Sequence, residues 1–121
     1  MATYLDTSVL LLISEGFPLL DELRRNARSD IIILDAILYE LGELSKSHGK
    51  RGKAAKIAKQ YLTQQRLKTV QTKYKYGDAA LLNVASSEDT IVTLDKKLMT
   101  EAKSDGIRVL RPTKKNKLRE E

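Results

Sequence analysis

Four carboxylates stand where an alternating β/α pattern would gather them. Asp6 follows the short apolar run Thr3-Tyr4-Leu5, and Asp35 follows Ile31-Ile32-Ile33-Leu34. Asp78 begins a helical pattern after a run at about 67–71, and Asp95 follows Thr90–Leu94. In an open parallel sheet, ligands bind outside the carboxyl ends of the strands, so these acids mark one rim. Asp is also a favoured helix N-cap, and any one of these residues read alone is a cap. The group strains that reading. Like charges held close oppose each other's ionisation, and Ser or Thr would cap without that cost. A divalent cation resolves the conflict, and hard oxygen donors suit Mg²⁺ or Mn²⁺.

Glu40 lies at the edge of a buried helical stripe formed by Ile37, Leu41 and Leu44. At 100° per residue it falls about 40° from Leu44 and about 60° from Ile37. About a turn into a helix that starts at the acidic rim, it either points at Asp6 or packs its stem and sends its head to water. Glu43 lies further round, toward solvent. Asp35 has a complete structural role as the first helical or capping residue and is left out of the site. Ser8 and Thr93 stand two residues from an acid; each either places a hydroxyl near a bound water or caps and packs. Asn83, one and a half turns past Asp78, is assigned only to packing or to supporting contacts behind the site.

The elements that must position these groups read as follows. Strands are expected at 3–5, 31–34, 67–71, 90–94 and 107–110, the last ending before Pro112. Helical segments are expected at 8–14, 18–27, 35–47, 53–65, 79–86 and 96–104, with His48-Gly49-Lys50-Arg51-Gly52 as a loop. Ile57, Ala58, Tyr61 and Leu62 form the expected inner face of the fourth helix. Alternating short strands and helices predict an α/β fold with a parallel five-stranded sheet. The boundaries expected are one domain over 1–112 and a charged, frayed tail over 113–121.

Composition narrows the chemistry. The 121 residues argue for one domain. There is no Cys, which excludes disulfides, thiolate zinc sites and a Cys nucleophile. One His excludes multi-His zinc sites, and no Trp with one Phe leaves little for an aromatic base-stacking sheet. No run approaches the ~20 apolar residues of a membrane span. With no basic leader and Asp6 interrupting the first apolar stretch, no signal peptide is expected, and the expected setting is reducing and cytoplasmic. Net charge is +6, unevenly spread: residues 46–75 hold ten basic groups and no acid. That stretch reads as a footprint for a phosphate backbone or as a basic helix balancing an acidic neighbour. Lys73-Tyr74-Lys75-Tyr76 runs directly into Asp78; cations and rings alternating there either grip phosphate and stack a base or pack under the sheet rim. Lys50, Arg51 and Lys53 either contact substrate or face solvent. Lys96 and Lys97 follow Asp95 closely.

Four segments in order, Tyr4-Leu5-Asp6-Thr7-Ser8-Val9-Leu10, Leu38-Tyr39-Glu40-Leu41, Gly77-Asp78-Ala79-Ala80-Leu81-Leu82 and Ile91-Val92-Thr93-Leu94-Asp95-Lys96-Lys97-Leu98, resemble the acidic motifs of the PIN domain family. The resemblance covers about residues 2–111 and is nearest to archaeal VapC-type ribonucleases and ribosomal-RNA-processing nucleases of that family. It implies a three-layer α/β/α fold, Mg²⁺- or Mn²⁺-dependent endoribonuclease activity and a homodimer. Carried over motif by motif, Asp6, Glu40, Asp78 and Asp95 become the catalytic, metal-binding acids, with Ser8 and Thr93 as supporting polar groups. Lys73, Tyr74, Lys75, Lys50 and Arg51 are the expected substrate contacts. One position departs: Leu94 stands where relatives often have a polar residue before the last acid.

The chemistry implied is phosphodiester hydrolysis of RNA by metal-activated water, with Asp6 and Asp95 on the main ion and Asp78 and Glu40 completing the shell. A toxin role implies an antitoxin partner over the crevice; a processing role implies precursor RNA. The alternative is a non-catalytic RNA-binding or assembly module on the same fold. A phosphohydrolase of the haloacid-dehalogenase kind would want a second Asp two positions after Asp6, where Ser8 stands, and a receiver domain would want an acidic pair beside the first strand.

Overall fold

A computed structural model describes residues 1–26 and 30–121. In chain order the elements are β1 (Ala2–Leu5), α1 (Thr7–Leu10), a 3-10 turn (Leu11–Glu15), α2 (Leu19–Asn26), β2 (Asp30–Leu34) and α3 (Asp35–Leu44). Then follow α4 (Lys50–Gln65), β3 (Lys68–Val70), α5 (Gly77–Val84), β4 (Thr90–Val92), α6 (Lys96–Ser104), β5 (Arg108–Pro112) and β6 (Leu118–Glu120). The expected helix end at Ala27 lies outside the described residues.

The sheet order is β3-β2-β1-β4-β5-β6, parallel throughout except for the antiparallel β5–β6 pair. The α/β/α architecture thus stands, with six strands where five were expected. β1 is central and all four of its residues are buried, because helices cover both faces of a parallel sheet. Leu5, Ile33, Leu34, Ile91, Val92 and Leu110 continue this core across four strands. Strand order reverses between β1, which leads to β2, and β4, which leads to β5. Such a reversal opens a crevice at the carboxyl ends of the two strands. Asp6 directly follows β1, and its N–H donates to the Val92 carbonyl of β4 at 3.0 Å, so it is held at that crevice by the ladder itself.

The loop expected at 48–52 is corrected: α4 begins at Lys50 and takes in Gly52. Glycine there does not break the helix. A Cβ at Gly52 would strike the backbone carbonyl of Ser47, so the residue lets the chain between α3 and α4 pass close by. The inner face is also corrected. Ala54, Ala55, Ala58 and Leu62 are buried, Tyr61 is half-buried and Ile57 is exposed. Small side chains on that face let α4 lie close to α3 and the 3-10 turn.

The frayed tail is corrected as well. Residues 113–117 turn back, with Asn116 at φ 60° and Thr113 N–H donating to the Lys117 carbonyl at 2.8 Å. Leu118 is then buried opposite Pro112, and its N–H donates to Glu22 Oε1 at 2.8 Å. Glu22 is only 3% exposed, and Arg25 meets its other oxygen at 3.3 Å. Arg108 Nε donates to Glu120 Oε1 at 2.6 Å. A strand so charged hides its one apolar anchor from a periodicity argument. Leu118→Ala is expected to destabilise the fold by about 2–4 kcal/mol in urea titrations. Removing residues 113–121 should cost at least as much, because it strips Glu22 of a buried partner; a freely fraying tail would give no change in either variant.

Candidate active site

Asp6, Glu40, Asp78 and Asp95 line one open cleft of about 570 Å³. Asp6 comes from the end of β1, Glu40 from the second turn of α3, Asp78 from the first turn of α5, and Asp95 from the start of α6. Asp6 is 9% exposed, Glu40 is half-buried, and Asp78 and Asp95 are exposed.

The capping explanation separates these acids. Only Asp95 caps through its side chain, with Oδ1 accepting from Lys97 N–H at 2.9 Å and Leu98 N–H at 3.2 Å. Asp6 occupies the N-cap position of α1 but makes no side-chain cap bond. Asp78 lies inside α5 and, among the described residues, accepts only from the adjacent Ala79 N–H, at 2.8 Å. Asp6 is held differently. Its Oδ2 accepts from Thr93 Oγ1 at 2.7 Å and from Ser8 Oγ at 2.9 Å. Ser8 Oγ accepts from Leu94 N–H, and Thr93 Oγ1 accepts from Asp95 N–H, both at 3.0 Å. One network therefore joins Asp6, Ser8, Thr93 and the backbone of Asp95. Both hydroxyls share Oδ2 and so leave Oδ1 unoccupied by this pair. Leu94 joins through its N–H, so the network does not depend on its side chain, which is 37% exposed.

Glu40 is fixed from two sides. Its Oε1 accepts from Thr7 Oγ1 at 2.7 Å, and its Oε2 accepts weakly from Gly77 N–H at 3.4 Å. Gly77 packs so tightly that a Cβ would run into Glu40 Oε1 and Ile37 Cδ1. This places the Glu40 head in the cleft rather than in bulk water. Thr7 was not among the expected site residues. Its signal lay in the chain, as the middle residue of Asp6-Thr7-Ser8, the one position of that triplet with no role assigned from sequence.

Of the expected substrate contacts, Arg51 and Lys75 line the cleft. Tyr74 lines an adjoining pocket with Asp35, Ala36, Tyr39 and Lys75, whereas Lys50 lines a separate groove with Arg51 and Glu15. Lys73 is exposed and lines none of these. Tyr39, Glu43 and Leu44 line the cleft without having been expected there, and Tyr76, whose ring was expected either to stack a base or to pack under the rim, lines it as well. Glu43 and Leu44 follow Glu40 by three and four residues, so they share its side of the helix. Glu43 pairs with Lys46 at 2.6 Å, and that bond lowers its pKa.

No ion pair reaches any of the four cleft acids among the described residues. Nor, among the described residues, do three or more acidic or histidine side chains form a ready-made metal cage. Asp35, left out on sequence grounds, is tied into the scaffold: Oδ1 accepts from Thr72 Oγ1 and Ala36 N–H, both at 2.8 Å. Hydrogen bonding from Thr72, then from nearby backbone, lowers its pKa from the ordinary 3.8.

The sequence model of a family described as a PIN like domain matches residues 3–115. No curated protein matches the chain.

Two expectations follow from this geometry. Gly77→Ala should destabilise the protein by about 1–3 kcal/mol through overpacking and displace Glu40, read by urea titration and by the variant's crystal structure. Asp35, with its lowered folded-state pKa, contributes stability that is complete above its unfolded value of 3.8 and is lost as pH falls through the folded value. Urea midpoints of the wild type and Asp35→Asn should therefore differ most near neutral pH and converge as the pH falls below 3.8 and through the folded value.

Proposed function

The chain belongs to the PIN-like domain family, whose members are in general nucleases, and from that premise we propose that it is a metal-dependent endoribonuclease. The observation that carries the reading is the convergence of Asp6, Glu40, Asp78 and Asp95 on one cleft at the β1/β4 reversal, with no cation of the chain paired to any of them among the described residues. The donor set is all hard oxygen, which suits Mg²⁺ or Mn²⁺. Mg²⁺ is ordinarily held by one or two carboxylates, its own waters and substrate phosphate, so a closed cage of three protein ligands is not required. Asp6 and Asp95 would hold the ion, with Asp78 and Glu40 acting nearby through water. When bound, such an ion lowers the pKa of water and neutralises charge on a phosphodiester.

The chain's own residues do the remaining work. Thr93 and Ser8 orient the Asp6 carboxylate by bonding one oxygen of it. Thr7 aims Glu40. Arg51 and Lys75 offer positive charge to a phosphate entering an acidic cleft. Tyr39 and Tyr76 are 56% and 62% exposed at its lining; Lys75 Nζ stands 5.7 Å from the centre of the Tyr76 ring over one face, so the Tyr39 ring and the other face of Tyr76 are offered to unpaired bases. A toxin role with an antitoxin over the cleft, or a role in RNA processing, would both use this site, and a homodimer would set two such clefts in one particle. The absence of a ready-made cage among the described residues favours one other reading, a module that binds RNA without cutting it.

One experiment separates the two. With Mn²⁺ or Mg²⁺, the protein should cleave single-stranded RNA, and chelation should abolish cleavage. Asp6→Asn should reduce the rate by at least about 100-fold, a loss of ~2.7 kcal/mol of transition-state stabilisation. Asn keeps an oxygen for Thr93 and Ser8, so the melting temperature should stay near that of the wild type. Metal-independent cleavage, or none from the wild type at any metal concentration, would overturn the proposal.

A further inference from the structure

The cleft cannot supply the affinity that an RNA strand needs. Its lining carries five carboxylates, from Asp6, Glu40, Glu43, Asp78 and Asp95, against Arg51 and Lys75. A polyanion is repelled by that balance unless cations outside the cleft hold it. The largest set of such cations is on α4, where Lys50, Arg51, Lys53, Lys56 and Lys59 stand in 16 residues that include no acid. All five are exposed. Lys53 and Lys56 point away from the buried Ala54, Ala55, Ala58 and Leu62, and Lys59 lies at the border of that outer face.

An intramolecular counter-charge is the first alternative to weigh. α4 packs on α3 and on the 3-10 turn. Glu43 of α3 is taken by Lys46, and Glu15 of the 3-10 turn borders only the groove beside Lys50 and Arg51. Among the described residues no ion pair involves α4. An anionic membrane is the second alternative. A helix lying on lipid needs a stripe of large apolar side chains, and the outer face of α4 has only Ile57 as an exposed large apolar residue. Its other outward residues, Gln60, Thr63 and Gln64, are hydrogen-bonding groups, and they line a groove with Lys59.

The start of this helix borders the cleft. Arg51 lines the cleft and, with Lys50 and Ala54, a second groove at the start of α4. At 100° per residue Lys50 stands between Arg51 and Lys53 around the helix axis, so a strand leaving the cleft crosses the N-terminal turn to reach Lys53, Lys56 and Lys59 on the outer face. From Lys50 to Lys59 the helix rises about 14 Å, roughly four nucleotides of a stacked strand at 3.4 Å each.

We infer that the outer face of α4 is a phosphate-binding track, carried by Lys53, Lys56 and Lys59, that holds RNA extending from the cleft past Arg51. The inference rests on the reading of the cleft as an RNA site, and it makes affinity depend on RNA length. Binding is measured by fluorescence anisotropy in Mg²⁺, which offsets the cleft acids, with non-hydrolysable 2′-O-methyl phosphorothioate single-stranded oligomers of about 5 and about 20 nucleotides, so that no cleavage intervenes. In K53Q/K56Q/K59Q the Kd of the long oligomer should rise by about 10-fold or more, and the slope of log K against log salt should fall by about 2. The short oligomer, which fills only the cleft, should change less than about twofold. K53R/K56R/K59R keeps the charge and should retain the wild-type slope, and the short oligomer's nearly unchanged Kd in the glutamine variant excludes a folding defect as the cause.

An unchanged salt slope in the glutamine variant, or equal losses for both lengths, overturns the inference. So does a polyglutamate peptide that binds the wild type as tightly as the long RNA, since the track would then be a surface for acidic protein. Failure of the proposed function looks different: RNA bound with this length dependence but never cleaved would overturn the nuclease reading and leave the track standing.

Discussion

Asp6 is where the backbone ladder and the acidic rim become one structure. Its N–H extends the β1–β4 pairing, while its carboxylate gathers hydroxyls from Ser8 in α1 and Thr93 beyond β4. Those hydroxyls in turn accept the N–H groups of Leu94 and Asp95. A charge-assisted hydrogen bond is about twice as strong as a neutral one, and a chain of them fixes side chains that would otherwise sample several rotamers. The reversal of strand order is therefore pinned by the same residue that presents a carboxylate oxygen to the cleft. Fold and site share a single constraint here, and moving either strand end would disturb both.

The remaining acids are placed by different local devices. Asp95 is a true helix cap of α6, and its N–H is also held by Thr93 Oγ1. Glu40 depends on a close approach that only glycine permits at position 77 and on a hydroxyl from Thr7. Asp78 has, among the described residues, only its neighbour's N–H and is the least restrained. The gradient has a consequence. The two acids at the strand reversal are held by bonds inside the scaffold, whereas Asp78 is exposed and has more freedom to follow a ligand.

What the sequence revealed, and what it concealed, divides along physical lines. Strands at the centre of the sheet are continuous apolar runs, so they were legible, as was the order of acids at their ends. The glycine pair around Lys50 and Arg51 read as a loop because glycine signals turns. Gly52 is instead needed for close packing, which depends on a neighbour 5 residues earlier that no local pattern names. β6 was hidden because its only apolar anchor, Leu118, stands among charges. Its partners, Pro112 of β5 and Glu22 of α2, lie in other elements. Thr7 was passed over for the same reason: its role is a bond to Glu40, 33 residues away. Periodicity reports which face is buried, but it is silent about which polar groups meet.

The division of charge along the chain acquires a meaning in three dimensions that the linear pattern left open. Acids gathered for chemistry repel the phosphates on which that chemistry would act. Cations paired to the four acids would relieve the repulsion but neutralise carboxylates needed for a metal ion; Arg51 and Lys75 line the cleft without pairing to any of the four among the described residues. Separating the two tasks avoids the conflict: carboxylates stay at the strand ends, and the cations run along a neighbouring helix, with Arg51 at the join. At physiological ionic strength the Debye length is about 8 Å, so α4 beyond its first turn or two is largely screened from the acids while remaining able to bind a flexible strand. The acid-free run of residues 46–75 is thus consistent with a chain whose catalytic and holding charges must be near each other but not paired.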